Sequence, residues 1–273
     1  MFDLIIRSSV VVDPVKRTER VADVAIENGC IARIEPSIAG EARETVSAEG
    51  LVLQPGIIDT HLHLTASPAG HAMAVRAGVT TAVDMAGPPE KGMAEAKTHG
   101  RGLNVAVLNA ILPGRNVSGN RPDASEIDAF LTASLEAGAF GVKLLGGHFP
   151  LTPEASAAMV WQSAERGVYM AWHAGTTEKG SNLEGLREAV ALADGHPLHM
   201  AHLNAYCRGR VLPVLDECLE AAALLEAHPE IVTESYLSAR NGCPLGFKED
   251  GAPESAVLAG NLRAFGFTAD LAG

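Results

Sequence analysis

The chain has 273 residues, 47% of them hydrophobic, enough for one large α/β domain or one large domain with a small appendage. A formal net charge of −12, with 4% aromatics and no Lys/Arg-rich stretch, excludes a nucleic acid or an anionic membrane surface as partner. Cys30, Cys207, Cys218 and Cys243 show no Cys-x-x-Cys spacing, charges at Asp3, Arg7, Asp13 and Lys16 interrupt any signal-peptide core, and no apolar run reaches membrane-spanning length. A soluble protein of the reducing cytoplasm is expected.

Residues 1–54 carry short β-like runs, Leu4–Ile6, Val10–Val12, Val21–Glu27 and Cys30–Ile34, with Asn28-Gly29 between the last two as a two-residue hairpin turn. They read as the first part of a small β-sandwich. From residue 55 to 273 the texture changes to apolar strand-like runs separated by Ala-rich helical stretches. Seven strands are predicted: Ile57–His63, Val79–Met85, Asn104–Ile111, Phe140–Leu145, Val168–His173, Leu198–Leu203 and Ile231–Tyr236. Helix starts are readable at Thr152-Pro153-Glu154 and at Asp123 or Ser125. Alternation this regular favours a (β/α)8-type TIM barrel, α/β in class, over a doubly wound sheet. No Gly-x-Gly-x-x-Gly or Gly-Lys-Ser/Thr loop supports nucleotide binding.

In such a barrel, catalytic groups sit at the C-terminal ends of strands. The first strand ends Asp59-Thr60-His61-Leu62-His63, and alternation sends His61 and His63 to the same side, close enough to grip one metal ion. The fourth carries Lys143 inside an apolar run, where an ammonium is costly to bury. Two readings are open for it. Either Lys143 snorkels to the barrel mouth or pairs with a carboxylate, or desolvation leaves a neutral amine that reacts with carbon dioxide to form a carbamate, a bidentate anion able to bridge two cations. The fifth strand ends at His173 and the sixth runs His199-Met200-Ala201-His202, so four strands deliver strong ligand types to one rim.

Together, Pro55-Gly56-Ile57-Ile58-Asp59-Thr60-His61-Leu62-His63, Gly141-Val142-Lys143, His173, Met200-Ala201-His202 and Ala77-Gly78-Val79-Thr80-Thr81 resemble the metal-dependent amidohydrolase superfamily, in its binuclear hydantoinase, dihydroorotase and D-aminoacylase branch. The resemblance spans nearly the whole chain. It implies two divalent ions, zinc by default: His61 and His63 on the more buried one, His173 and His202 on the more exposed one, and carbamylated Lys143 bridging them. The implied activity is hydrolysis of a carbon–nitrogen amide bond, in a cyclic amide or an N-acyl amino acid, by a metal-activated hydroxide. Asn204, Tyr206 and Arg208 follow the sixth strand at the rim, and Arg208 is either a clamp for a substrate carboxylate or a surface charge. Asp59 is either a helper to an imidazole or an anchor for its strand, and His71 and His148 stand as further candidates.

One expected part is absent. The superfamily's aspartate after an eighth strand, metal ligand and general acid/base, has only Asp250 and Asp270 as counterparts, and neither follows an apolar strand. The expectation is a fragment of a longer polypeptide, or a second chain completing the barrel, with a homo-oligomer as the assembly and a small-molecule amide as the substrate. Rival functions are a mononuclear deaminase of the same superfamily, in which Lys143 is dispensable, and a non-catalytic barrel scaffold.

Overall fold

The computed structural model describes residues 1–65, 68–100, 102–236 and 247–253, with Leu258, Ala259, Leu262 and Thr268 beyond them. The chain divides into two compact units, Met1–Ile57 and Ile58–Gly273.

The first unit is a five-stranded sheet built around β1 (Phe2–Asp13), which pairs antiparallel with β2 (Thr18–Glu27). β3 (Cys30–Glu35) continues antiparallel from β2, while β4 (Ala42–Ser47) and β5 (Val52–Leu53) lie parallel to β1. Asn28 and Gly29 connect β2 to β3 with φ of 52° and 74°, the left-handed pair a type I′ hairpin requires. The separate runs Leu4–Ile6 and Val10–Val12 are one strand with a bulge between Ile6 and Ser9, where Ser8 takes φ 57°. The bulge has a visible cause in the buried Asp23 carboxylate. It accepts from the Ser8 amide at 2.9 Å, the Ile38 amide at 3.0 Å and the Arg7 guanidinium at 2.5 Å. Alternation along β2 puts Ala25 with Ile5 and Ile38 on one face, and Val24 with Val11 and Ala22 on the other.

The second unit alternates strand and helix: β6 (Ile57–Leu62), α1 (Pro68–Arg76), β7 (Val79–Gly87), α2 (Pro89–His99), β8 (Asn104–Ala110), α3 (Ala124–Glu136), β9 (Gly141–Leu145), α4 (Pro153–Glu165), β10 (Tyr169–His173), α5 (Leu183–Ala193), β11 (Leu198–Met200), α6 (Val214–Glu226) and β12 (Ile231–Thr233). All seven predicted strands form. They make one seven-stranded parallel sheet in the order β12-β11-β10-β9-β8-β7-β6, each strand beside its sequence neighbour as in a (β/α) barrel. Helix starts follow the sequence. Thr152 caps α4 by accepting from the Ala155 amide with Pro153 at the first helical position, and Asp123 forms a capping box with Glu126 at the start of α3. Cys243 and Asp270 lie outside the described residues.

Alternation decides which side chains meet. Val142, Leu144, Met170, Trp172, Leu198 and Met200 pack under the helices in the main apolar cluster. The intervening residues face the other way: Lys143 registers with Ala171, and Ala171 with His199, giving a row across the inner face of the sheet. Met85, Leu108 and Ala171 form a small apolar cluster on that face.

Candidate metal centre

The strand ends bring the histidines together as the alternation requires. His61 and His63 have ring centroids 5.4 Å apart, His61 and His202 5.1 Å, and His202 and His173 4.4 Å. His148 continues the series at 4.9 Å from His173. The turn carrying His148 depends on Gly146 and Gly147: a Cβ at Gly147 would lie 2.3 Å from His173 Nε2, and one at Gly146 would lie 2.0 Å from the Gly175 carbonyl.

Lys143 lies within electrostatic reach of His61, His63, His173 and His202 and is 1% exposed, so it does not snorkel to the mouth. Among the described residues its amine has one hydrogen-bond contact, to Met85 Sδ at 3.4 Å, and no carboxylate at ion-pair distance. Burial, opposed only partly by the charge of Glu234, pushes the Lys143 ammonium down to about 7. The amine is therefore substantially neutral near pH 7, the form that reacts with carbon dioxide.

The imidazoles are held neutral as well. Desolvation pushes His63 down to about 4 and His202 down to about 3, with the neighbouring His61 and Lys143 adding to it in both cases. His63 is exposed at the rim, so its shift reflects the protein crowding its buried side. Burial among His202, His148 and Lys143 drops His173 well below the ordinary range, and His61 falls for the same reason despite a bond to Glu234. Neutral imidazoles are the form that ligates cations.

Their second nitrogens have partners that fix ring orientation. His61 Nδ1 meets the Glu234 carboxylate, and His173 Nε2 lies 2.8 Å from Ser181 Oγ. His202 takes the left-handed conformation (φ 39°, ψ 66°), unfavourable for a side-chain-bearing residue and held here by its amide, which donates to Glu234 Oε1 at 2.8 Å. Its Nδ1 is buried with no hydrogen-bond partner among the described residues. Sequence reasoning gave Glu234 no role. It ends the seventh strand at the same rim as the histidines, and the strand-end rule that selected them selects it too.

Asn204 and Arg208 converge on Tyr236. Asn204 Nδ2 donates to the Tyr236 carbonyl at 3.2 Å and Arg208 Nη2 to the Tyr236 hydroxyl at 2.7 Å, while the Tyr236 ring lies 6.5 Å from that of His202. Arg208 is thus tied beside the site, and Asn204 Oδ1 is buried without a partner among the described residues. Tyr206 is buried against His173 and His202, its hydroxyl accepting from the Ala174 amide at 2.8 Å. Asp59 accepts from the His61 backbone amide at 3.0 Å, so it anchors its strand. His71 lies within α1, and Asp250 is exposed and bonds the Ala252 amide.

Among the described residues no three His, Cys, Asp or Glu side chains already form a closed set around one ion. The donors nevertheless fit divalent cations: neutral imidazoles from three strand ends and, among the described residues, a buried nitrogen on His202 with no partner and a buried amine on Lys143 with no counter-ion.

No protein-family model matches the chain. It is 37% identical over 139 residues to an adenine deaminase of Deinococcus radiodurans, covering 50% of this chain and 24% of that protein. It is 39% identical over 75 residues to a dihydroorotase of Solibacter usitatus (28% and 17% covered) and 36% identical over 92 residues to an allantoinase of Escherichia coli (31% and 20% covered). These relatives bear out the resemblance to the amidohydrolase superfamily. In fold, the chain matches an N-acyl-D-glutamate deacylase from Bordetella bronchiseptica, solved with zinc and a phosphonate inhibitor, at TM-score 0.68 and 20% identity, covering 87% of this chain and 59% of that one. It matches a D-aminoacylase, described as defining a subset of amidohydrolases, at TM-score 0.66 and 20% identity, again covering 87% and 59%. The architecture is that barrel fold. The matched segments span a quarter or less of the curated relatives, and the chain covers under two thirds of the solved ones.

Proposed function

We propose that this chain forms the metal-binding face of an amidohydrolase that cleaves a carbon–nitrogen bond in a cyclic amide or an N-acyl amino acid. The observation that carries this reading is the buried Lys143 amine, without a counter-ion among the described residues, within electrostatic reach of the gathered His61, His63, His173 and His202. In this reading His61 and His63 would hold one divalent ion and His173 and His202 a second, with Lys143, as its carbamate, supplying a further oxygen donor, and zinc as the metal. When bound, such a pair lowers the pKa of a water and polarises the scissile carbonyl. The chain's own groups orient the rest. Glu234 and Ser181 fix the rings of His61 and His173, and Arg208, steadied by Tyr236, faces a substrate carboxylate. The free thiols Cys30, Cys207 and Cys218 suit a cytoplasmic setting, and a homo-oligomer is the expected assembly, to be read by light scattering.

The adenine deaminase relative favours a second reading, a deaminase using one ion held by His61, His63 and a further histidine. Metal analysis of the purified protein and of Lys143→Ala separates the two. The binuclear reading expects two ions falling to one or none, with hydrolysis of cyclic amides or N-acyl amino acids lost. A Lys143→Ala protein with unchanged metal content and unchanged activity supports the deaminase, and an active protein free of metal overturns both.

A further inference from the structure

The sheet's two edge strands are β6 and β12, and one side chain links their ends: Glu234, just after β12, meets His61 at the end of β6. The same carboxylate meets His199 Nε2 through its other oxygen and accepts the His202 amide. His199 is 3% exposed and carries the chain one step further, with Nδ1 2.6 Å from the Tyr169 hydroxyl. This Tyr169–His199–Glu234–His61 row crosses the inner face of the sheet, and the proposed mechanism leaves His199 and Tyr169 without a task.

We propose that Glu234 is a positioning residue that sets His61 as the Nδ1–H tautomer and aims its Nε2 lone pair at the metal, with His199 and Tyr169 locking the carboxylate in place. The inference rests on the reading of His61 as a ligand, and it names the group that readies that ligand.

The polarity of the row follows from what each group can do. A carboxylate only accepts, so both imidazoles present N–H to it: His61 through Nδ1 and His199 through Nε2. His61 Nε2 is then a lone pair. His199 Nδ1 must be an acceptor, and the Tyr169 hydroxyl supplies the proton; every bond is made with both rings neutral. Burial and the charge of Glu234 hold Tyr169 protonated, as a donor requires. Glu234 takes three bonds, from His199, His61 and the His202 amide, the pattern of a group that only accepts. A carboxylate behind a ligating imidazole fixes tautomer and ring plane together, and its loss typically weakens metal binding about 10–100-fold.

The test combines long-range proton–nitrogen NMR of the histidine side chains with zinc titration against a competing chelator, on the full chain and on Glu234→Ala, Glu234→Gln and His199→Phe. The wild-type chain should show His61 protonated at Nδ1 before zinc is added. Glu234→Ala should give a mixture of His61 tautomers and a zinc affinity lower by about 10–100-fold. Glu234→Gln, whose carbonyl still accepts from His61, should recover most of the Nδ1–H signal, and His199→Phe should show an intermediate loss. Unchanged His61 tautomer and zinc affinity in a folded Glu234→Ala protein overturns the proposal, leaving the row structural, and so does a Glu234→Gln protein that restores neither when Glu234→Ala has lost both. A wild-type chain that binds no zinc counts against the proposed function, while its tautomer signals still decide the role of Glu234.

Discussion

Two buried polar clusters, one in each unit, are built on opposite terms. In the small sheet, Asp23 takes bonds from Arg7 and from the Ser8 and Ile38 amides, and Arg7 also donates to the Ile38 carbonyl at 2.6 Å. The charge is answered from several sides, and these bonds hold Asp23 below the usual carboxylate range despite its burial. In the barrel unit, Lys143 is as deeply buried, its one hydrogen-bond contact among the described residues being a thioether, and His61, His63, His173 and His202 near it are pushed toward neutrality. A satisfied cluster holds a fold, whereas one left short of partners costs stability and is kept for what it does. Glu217 shows the first pattern within the barrel unit itself. Fully buried, it accepts from the Gly209, Val211 and Leu212 amides and so shapes the loop that carries Arg208.

The sharpest break of this contrast is Lys143→Met, a near-isosteric change beside Met85. It should lower hydrolysis by about 10³-fold, roughly 4 kcal/mol of transition-state stabilisation. The same variant should be more stable than the parent, by about 2 kcal/mol at pH 7, because a desolvated amine is replaced by a thioether. Denaturant unfolding in buffer free of carbon dioxide and metal checks this, and the gain should shrink toward pH 10, where lysine is losing its proton in the unfolded chain as well. A destabilised Lys143→Met protein would place Lys143 among structural residues.

Asp23→Ala should do the reverse, costing about 3 kcal/mol by stranding Arg7 and the two amides, with the Ser8 bulge as the first place to loosen. The pH dependence carries a definite sign. Asp23 has a lowered folded pKa, so its contribution is complete above its unfolded value of about 3.9 and is lost as pH falls through the lowered folded value. Acid unfolding followed by signals from the small sheet should therefore show a limb below about pH 4 that flattens in Asp23→Asn. Glu217→Gln is expected to cost less, about 1–2 kcal/mol, since an amide still accepts some of those backbone donors. Arg208→Ala should raise KM with little change in kcat, a split that steady-state kinetics reads.

The barrel strands were legible because each is an apolar run between helical stretches with readable caps, as at Thr152 and Asp123. His61, His63, His173 and His202 were legible because strand ends in a barrel point to one rim. Three things were not. The bulge at Ser8 depends on a carboxylate 15 residues away, and local propensity carries no trace of such a partner. The choice between a snorkelling and a desolvated Lys143 depends on what surrounds it, which the pattern of strand four leaves open. The role of Glu234 depends on which imidazoles reach its carboxylate, and those lie 173 and 35 residues away in sequence, so a glutamate after a strand reads the same whether it orients a ring or faces solvent.

The smallest expected effect concerns Ser181, the partner of His173. Its Oγ lies 2.8 Å from Nε2, one residue before Asn182, which caps α5 by accepting from the Gly185 amide at 3.1 Å. Ser181→Ala leaves that cap intact and removes a single bond between neutral groups, so the melting temperature should move little, with about 1 kcal/mol as the ceiling. If the bond orients a ligand, the loss should appear elsewhere, as a zinc affinity lower by about 10-fold measured by chelator competition. A structural hydroxyl predicts the opposite split, a stability loss with zinc affinity unchanged. That split makes Ser181 the finest probe of the contrast with Asp23, whose removal should cost folding energy and leave zinc binding as it was.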